Sequence, residues 1–245
     1  MSSFSESMAN PTEPRSMANS AEPRPTSNGR SLLQSLARVV HDAGFAFSGL
    51  RGRGYPEPRS RWEEEYRSGR WSYLDSASEV AHYMVVVGYV QQFCPNPAEL
   101  DVGCGHGRLF QLLHPYPYRS YLGIDHSAVS IEQAQSLATR NARFQRADFE
   151  EFTPTKRYDV IVFSESIYYA THPATLLRRY ASALTSDGVM IVSMCQNRWQ
   201  RPIWTKLESV AEIVHSTALT NERDLTWHVR VLRPRATHKS QPPSA

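Results

Sequence analysis

The sequence predicts an α/β fold, a doubly wound and mostly parallel seven-stranded sheet that ends in an antiparallel hairpin. Three observations lead there. Short apolar runs bounded by turn residues, such as Asp159-Val-Ile-Val-Phe163 and Val189-Met-Ile-Val192, have the composition of strands covered on both faces. Those runs alternate with stretches of helical period. The last two runs flank a short polar loop, Thr220-Asn-Glu-Arg-Asp224, which suits a hairpin rather than another crossover.

The elements follow in order. Residues 76–93 read as a helix with Val80, Tyr83, Met84, Val87 and Val90 on one face, closed by Pro95 and Pro97. A strand over 99–102 leads to a helix near 108–113. A strand over 120–124 leads to a helix over 127–140. Strands over 142–146 and 158–163 come next. A helix over 172–184 then opens on His172-Pro173, residue types suited to a first turn. Asp187-Gly188 marks a turn before a strand over 189–194, and the runs 212–219 and 225–232 form the hairpin.

Ahead of this pattern the composition changes. Residues 1–30 are rich in Ser, Pro, Asn and Arg and poor in apolar side chains, so they are expected to be a disordered tail. A tandem nonapeptide lies within it, Ser7-Met-Ala-Asn-Pro-Thr-Glu-Pro-Arg15 followed by Ser16-Met-Ala-Asn-Ser-Ala-Glu-Pro-Arg24. Residues 31–60 comprise an amphipathic helix carrying Leu32, Leu33, Leu36, Val39 and Val40, then a Gly, Arg and Pro linker. The compact domain is drawn over 61–234, with a polar, disordered end over 235–245.

A chain of 245 residues with 40% hydrophobic content can bury one sizeable α/β core. It lacks the run of roughly 18 apolar residues that a membrane span needs, and its start does not look like a secretory signal. Cys94, Cys104 and Cys195 are odd in number and widely spaced. They predict neither a disulfide framework nor a metal site, and they fit a cytoplasmic protein. The formal charge is only +3 and the basic residues are scattered, so no nucleic-acid partner is expected.

The most informative segment is Leu100-Asp-Val-Gly-Cys-Gly-His-Gly107, at the carboxyl end of the first strand, where open α/β sheets bind ligands. Its glycines alternate at 103, 105 and 107. Arg108 stands where a dinucleotide fingerprint needs glycine. Asp101 beside the turn would repel a pyrophosphate but could receive an ammonium. Asp125 follows at the second strand end, at a spacing suited to a ribose diol; a helix cap is its other reading. Arg146-Ala-Asp148-Phe149 ends the third strand, and Ser164-Glu-Ser-Ile-Tyr-Tyr169 leaves the fourth.

As a set, these residues resemble the class I S-adenosylmethionine-dependent methyltransferase family, in its small-molecule branch, over roughly residues 62–234. The resemblance implies a methyltransferase-type Rossmann-like fold with S-adenosyl-L-methionine as cofactor. It implies that Gly103, Gly105 and Gly107, with Cys104, meet the methionine part, and that Asp101 faces its amino group. Asp125 and the adjoining His126 would face the ribose, Asp148 the adenine amino group and Phe149 the ring edge. Ser164 would stand beside the sulfonium. Residues 62–74, with Trp71 and Tyr73, resemble the lid segment of some bacterial relatives; the helix after it offers His82 where relatives often carry a basic side chain.

Methyl transfer from a sulfonium is an in-line displacement on an activated carbon, so positioning dominates and a base is needed only for an acceptor that must lose a proton. Glu165, Tyr168, Tyr169 and His172 are the candidate bases, with pocket wall as the other reading of the tyrosines and helix cap that of His172. The expected acceptor is an O or N atom of a small molecule, a sugar or secondary metabolite among the candidates. No metal is expected. A catalytically silent binding or partner module on the same fold is the competing reading. A nucleic-acid enzyme would want a base-flipping motif where this chain has Ser-Glu-Ser-Ile.

Overall fold

The computed structural model describes residues 53–196 and 200–235. The tail and its repeat, the helix expected over 31–43 and the end after residue 235 lie outside the described residues. Seven strands form one sheet: β1 (Ala98–Val102), β2 (Ser120–Asp125), β3 (Ala142–Arg146), β4 (Tyr158–Ser164), β5 (Leu184–Cys195), β6 (Ala211–Thr220) and β7 (Thr226–Pro234). Their order is β3-β2-β1-β4-β5-β7-β6. The first five run parallel, and β7 lies antiparallel between β5 and β6. The strand order reverses direction at β1 and β4, the place where such sheets open a ligand crevice.

The helices are α1 (Arg59–Arg67), α2 (Ala77–Phe93), α3 (Arg108–Leu113), α4 (Ala128–Ala134), α5 (Pro173–Ala181) and α6 (Gln200–Glu208). Two apolar cores result, one on each face of the sheet. Leu100, Ile161, Phe163, Met190 and Tyr180 of α5 belong to one. Val160, Val162, Ile191, Phe110 of α3 and Val86 and Val90 of α2 belong to the other. Alternation within β4 sends Val160 and Val162 into one core and Ile161 and Phe163 into the other, whereas β1 gives Ala98, Leu100 and Val102 to the first core and buries Glu99 and Asp101 on its other face.

Several expected elements are adjusted. The helix placed at 127–140 is α4 plus a single 3-10 turn, Gln135–Leu137. β5 starts five residues early, because Asp187-Gly188 lies in a bulge: Tyr158 pairs with Leu184, but Val160 pairs with Val189. Gly188 is buried there. α2 also presents a different face: Met84 is 36% exposed, while Glu79 and His82 are buried with Tyr83, Val87 and Val90. α6 was not anticipated, although Gln200, Ile203, Trp204 and Leu207 bury one face at helical spacing.

The stretch read as linker also joins the core. Tyr55 is 4% exposed within the first core, and its N–H donates to the Tyr168 carbonyl at 2.7 Å. Gly54 allows that approach, since a Cβ there would lie 2.0 Å from the Ala170 carbonyl oxygen.

Candidate active site

β1 ends at Val102, and the chain turns through Gly103, Gly105 and Gly107 with φ of +81°, +55° and +88°, backbone that side chains rarely adopt. A Cβ on Gly103 would lie 2.5 Å from Ser166 Cβ, and one on Gly105 2.5 Å from the Tyr66 hydroxyl oxygen. The glycines are therefore demanded twice, by dihedral and by close approach. The turn is tied to β2. Gly103 and Cys104 N–H donate to the Ile124 carbonyl at 2.8 and 2.9 Å, and Gly105 N–H donates to Asp125 Oδ2 at 2.9 Å.

Asp125 Oδ1 accepts from Ser127 N–H at 2.9 Å and from Ser130 Oγ at 3.0 Å. Ser127 is the cap of α4, accepting from Ser130 N–H. Asp125 thus braces the turn into the helix and also lines the cleft, so the two readings of this residue are compatible. Burial raises its pKa, opposed by the N–H groups of Ser127 and Gly105 and by Ser130.

Asp101 is 1% exposed behind the turn. Tyr121 donates to its Oδ2 at 2.6 Å, while Oδ1 is buried with no hydrogen-bond partner among the described residues. Loss of solvent pushes its carboxyl up to about 7, with Tyr121 acting downward and Asp125 upward.

The cleft has a volume of about 390 Å³, within the range of small-molecule sites. Gly103, Cys104, Gly105, Asp125, His126, Asp148 and Phe149 line the end above β1, β2 and β3. Ser164, Glu165, Cys195 and Trp227 line the end above β4, β5 and β7. Trp62, Tyr66, Trp71 and Tyr73 form the wall contributed by α1 and the following 3-10 turn, Arg70–Asp75. Trp62 stacks on Trp71 at 5.5 Å and meets Tyr169 edge-on at 4.7 Å.

Glu165 adopts φ of +53°, a strained setting for a non-glycine residue and one that clusters at functional sites. Its carboxylate is held by Ser193 Oγ at 3.0 Å, Cys195 N–H at 2.9 Å and the Tyr168 hydroxyl at 3.3 Å. Burial lifts it to about 7 against those three hydrogen bonds, with Glu79 adding to the rise.

Most of the expected site residues therefore meet in one cleft, with three exceptions. Gly107 packs away from it, where a Cβ would meet Leu137 and Phe144 at 2.7 and 3.3 Å. Asp101 lies behind the turn and does not itself line the cleft. His172 is the exposed N-cap residue of α5, its carbonyl accepting from Leu176 N–H at 3.0 Å, but its side chain makes no cap bond and it does not line the cleft. His82, too, is outside the cleft lining: it stacks on Trp227 at 4.8 Å, and burial holds it neutral with a pKa of about 4.

Three contributors were not anticipated. Glu63 of α1 accepts from Ala128 N–H, Val129 N–H and Ser127 Oγ at 3.0 to 3.2 Å, pinning α1 to the start of α4. Burial works against its ionised form, but these bonds and Arg59 hold its pKa below the usual range. Arg108 and Glu79 also line the cleft. A charge on the otherwise apolar face of α2, four residues before Tyr83, was the available signal for Glu79.

The cleft also has unmet polar demand. Trp71 Nε1, Arg108 Nε, His126 Nε2 and Ser164 Oγ are buried without a hydrogen-bond partner among the described residues, and all four residues line it. Each such group costs about 1–3 kcal/mol when left unpaired. A ligand rich in hydroxyl, amino and carboxylate groups fits this set, together with the acids Asp125 and Asp148 and the free oxygen of Asp101 close behind.

Comparison with known proteins decides the family: the methyltransferase domain profile matches residues 95–232, more than half of the chain. The chain belongs to the class I S-adenosylmethionine-dependent methyltransferase family. Among its curated relatives, the trans-aconitate 2-methyltransferase of Escherichia coli O7:K1 is 33% identical over 112 residues, covering 45% of this chain and 44% of the relative. The chain thus matches less than half of that relative's length. The N-methyltransferase NodS of Bradyrhizobium japonicum WM9, solved with S-adenosyl-L-homocysteine, superposes with TM-score 0.63 at 18% identity over 72% of this chain and 97% of that one. A Burkholderia thailandensis 1,6-didemethyltoxoflavin-N1-methyltransferase superposes with TM-score 0.60 at 18% identity, over 72% and 86%. At these identities the two structures support the methyltransferase fold.

Proposed function

We propose that the protein transfers the methyl group of S-adenosylmethionine to an oxygen or nitrogen atom of a small molecule. The observation that carries this reading is the single cleft joining the glycine turn and Asp125 to Glu165. The glycine turn and Asp125 would hold the methionine part and the ribose, and Asp148 with Phe149 the adenine. Asp101 would balance the amino group from behind the turn. Arg108, whose buried Nε takes no hydrogen bond among the described residues, is the group in the cleft suited to the cofactor carboxylate. Bound there, the cofactor supplies a carbon already activated by a positively charged sulfur.

The chain's own contribution is to orient and to dry. The aromatic wall excludes water, and Glu165, held from three directions, meets the acceptor at a fixed place. With a pKa near 7 it can take a proton from an acceptor at neutral pH. Tyr168 holds Glu165, and we assign it a positioning role. Three free cysteines favour a reducing, cytoplasmic setting, and the acid-rich cleft argues against a nucleic-acid acceptor.

The test uses the methyl-labelled cofactor with a mixture of candidate small molecules and mass analysis of whatever gains the label. Transfer to a small molecule is expected. Tight cofactor binding with no transfer to any acceptor would favour the silent binding module instead.

A further inference from the structure

The half of the cleft above β4, β5 and β7 differs in chemistry from the half that would take the cofactor. Its walls are aromatic, with Trp62, Trp71, Tyr73 and Tyr169 in contact as stacked, tilted and edge-on rings at centroid distances of 4.7 to 5.9 Å. Its charged groups include Glu165, Glu79 on the first turn of α2 and Arg223 of the β6–β7 turn. Glu79 is 3% exposed, yet no hydrogen bond from the described residues reaches its carboxyl. The nearest basic atom, His82 Nδ1, stands 3.8 Å away on a ring that burial keeps neutral. Arg223 approaches from the β6–β7 turn, where Glu222 of the same turn opposes it. Arg108, the other guanidinium of the lining, is assigned above to the cofactor carboxylate and is steadied by Asp75 at 3.6 Å and Gln111 at 2.9 Å.

Two carboxyls facing one aromatic-walled space make poor neighbours for an anion. They suit a cation, which aromatic faces also attract. We propose that the methyl acceptor is a small amine, held through its nitrogen by Glu79 and Glu165 against the Trp62, Trp71 and Tyr73 wall. This rests on the methyltransferase reading above and narrows it to nitrogen. The amine enters as an ammonium and gives one proton to the Glu165 carboxylate. Its freed lone pair then forms the new N–C bond as the C–S bond breaks and the electron pair of that bond stays on sulfur. A polycarboxylate such as trans-aconitate would place like charges against Glu79 and Glu165.

The test titrates the full-length protein, saturated with S-adenosylhomocysteine, with benzylamine, tryptamine and glucosamine, and separately with benzyl alcohol and trans-aconitate. Tryptophan fluorescence and calorimetry are the readouts. At least one amine is expected to bind, and benzylamine at least about tenfold more tightly than benzyl alcohol, the gain of a charge-assisted hydrogen bond. Glu79→Gln should remove most of that preference while S-adenosylhomocysteine affinity stays within about twofold. Failure of all three amines to bind, binding of trans-aconitate in their place, or a preference that survives Glu79→Gln overturns the proposal. The amine-against-alcohol comparison uses the unaltered chain and stands if the variant does not fold. The preceding S-adenosylhomocysteine titration tests the broader reading separately, since its failure alone would remove the cofactor.

Discussion

Asp125 shows how much one carboxylate can carry. Three protein donors already converge on it, from the glycine turn, from the α4 cap and from Ser130. Asp125→Ala should therefore lower cofactor affinity at least about tenfold, the worth of one hydrogen bond to a charged group. It should also lower the melting temperature of the ligand-free protein, because the turn and the helix start come loose together. Calorimetry beside a thermal melt checks both, and a stable variant of unchanged affinity would contradict the assignment.

Glu165 makes a second prediction at this scale. Its folded pKa of about 7 lies above the ordinary 4.5, so the folded state holds a proton that the unfolded chain has released between those values. Its contribution to stability is present below pH 4.5 and is lost as pH rises to about 7. Glu165→Gln should flatten that part of the stability curve; an unchanged slope would show that other groups set it.

At the scale of elements, α1 is fastened by its own acid. Glu63 supplies acceptors to the Ala128 and Val129 N–H groups, which have no partner within the helix, at the start of α4, where a negative charge is also favoured by the helix dipole. Glu63→Ala should leave the sheet intact but loosen α1 and with it the Trp62 wall. The expected outcome is a several-fold rise in acceptor KM with little change in cofactor affinity, read by steady-state kinetics and calorimetry. The parallel strands and the glycine turn were legible in the sequence because each is a local pattern, an apolar run or a set of glycines at fixed spacing. The docking of Glu63 on α4 was not, since 64 residues separate Glu63 from Ser127 and nothing local records the pairing. The bulge in β5 hid for a related reason: Asp187-Gly188 looks like a turn unless the pairing of Leu184 with Tyr158 is known. His172 was legible as the N-cap residue of α5, but its distance from the cleft lining depends on how the loop before α5 runs, which no local pattern records.

For the whole molecule, the boundary of the folded unit can be tested at Tyr55. A chain beginning at Arg53 keeps Tyr55 and serves as the reference melt. One beginning at Arg61 forfeits the buried Tyr55 ring and its backbone bond to Tyr168, and should be destabilised by about 3–5 kcal/mol, as for removal of a buried aromatic side chain. Equal melting of the two shortened chains would place Tyr55 outside the cooperative core. The sheet order, the turn after β1 and the acids at the β1, β2 and third-strand ends all support one ligand, and the most direct test is a calorimetric titration with S-adenosylhomocysteine against NAD. The account predicts one S-adenosylhomocysteine bound per chain and no competition from NAD; tight NAD binding with none for S-adenosylhomocysteine would contradict it.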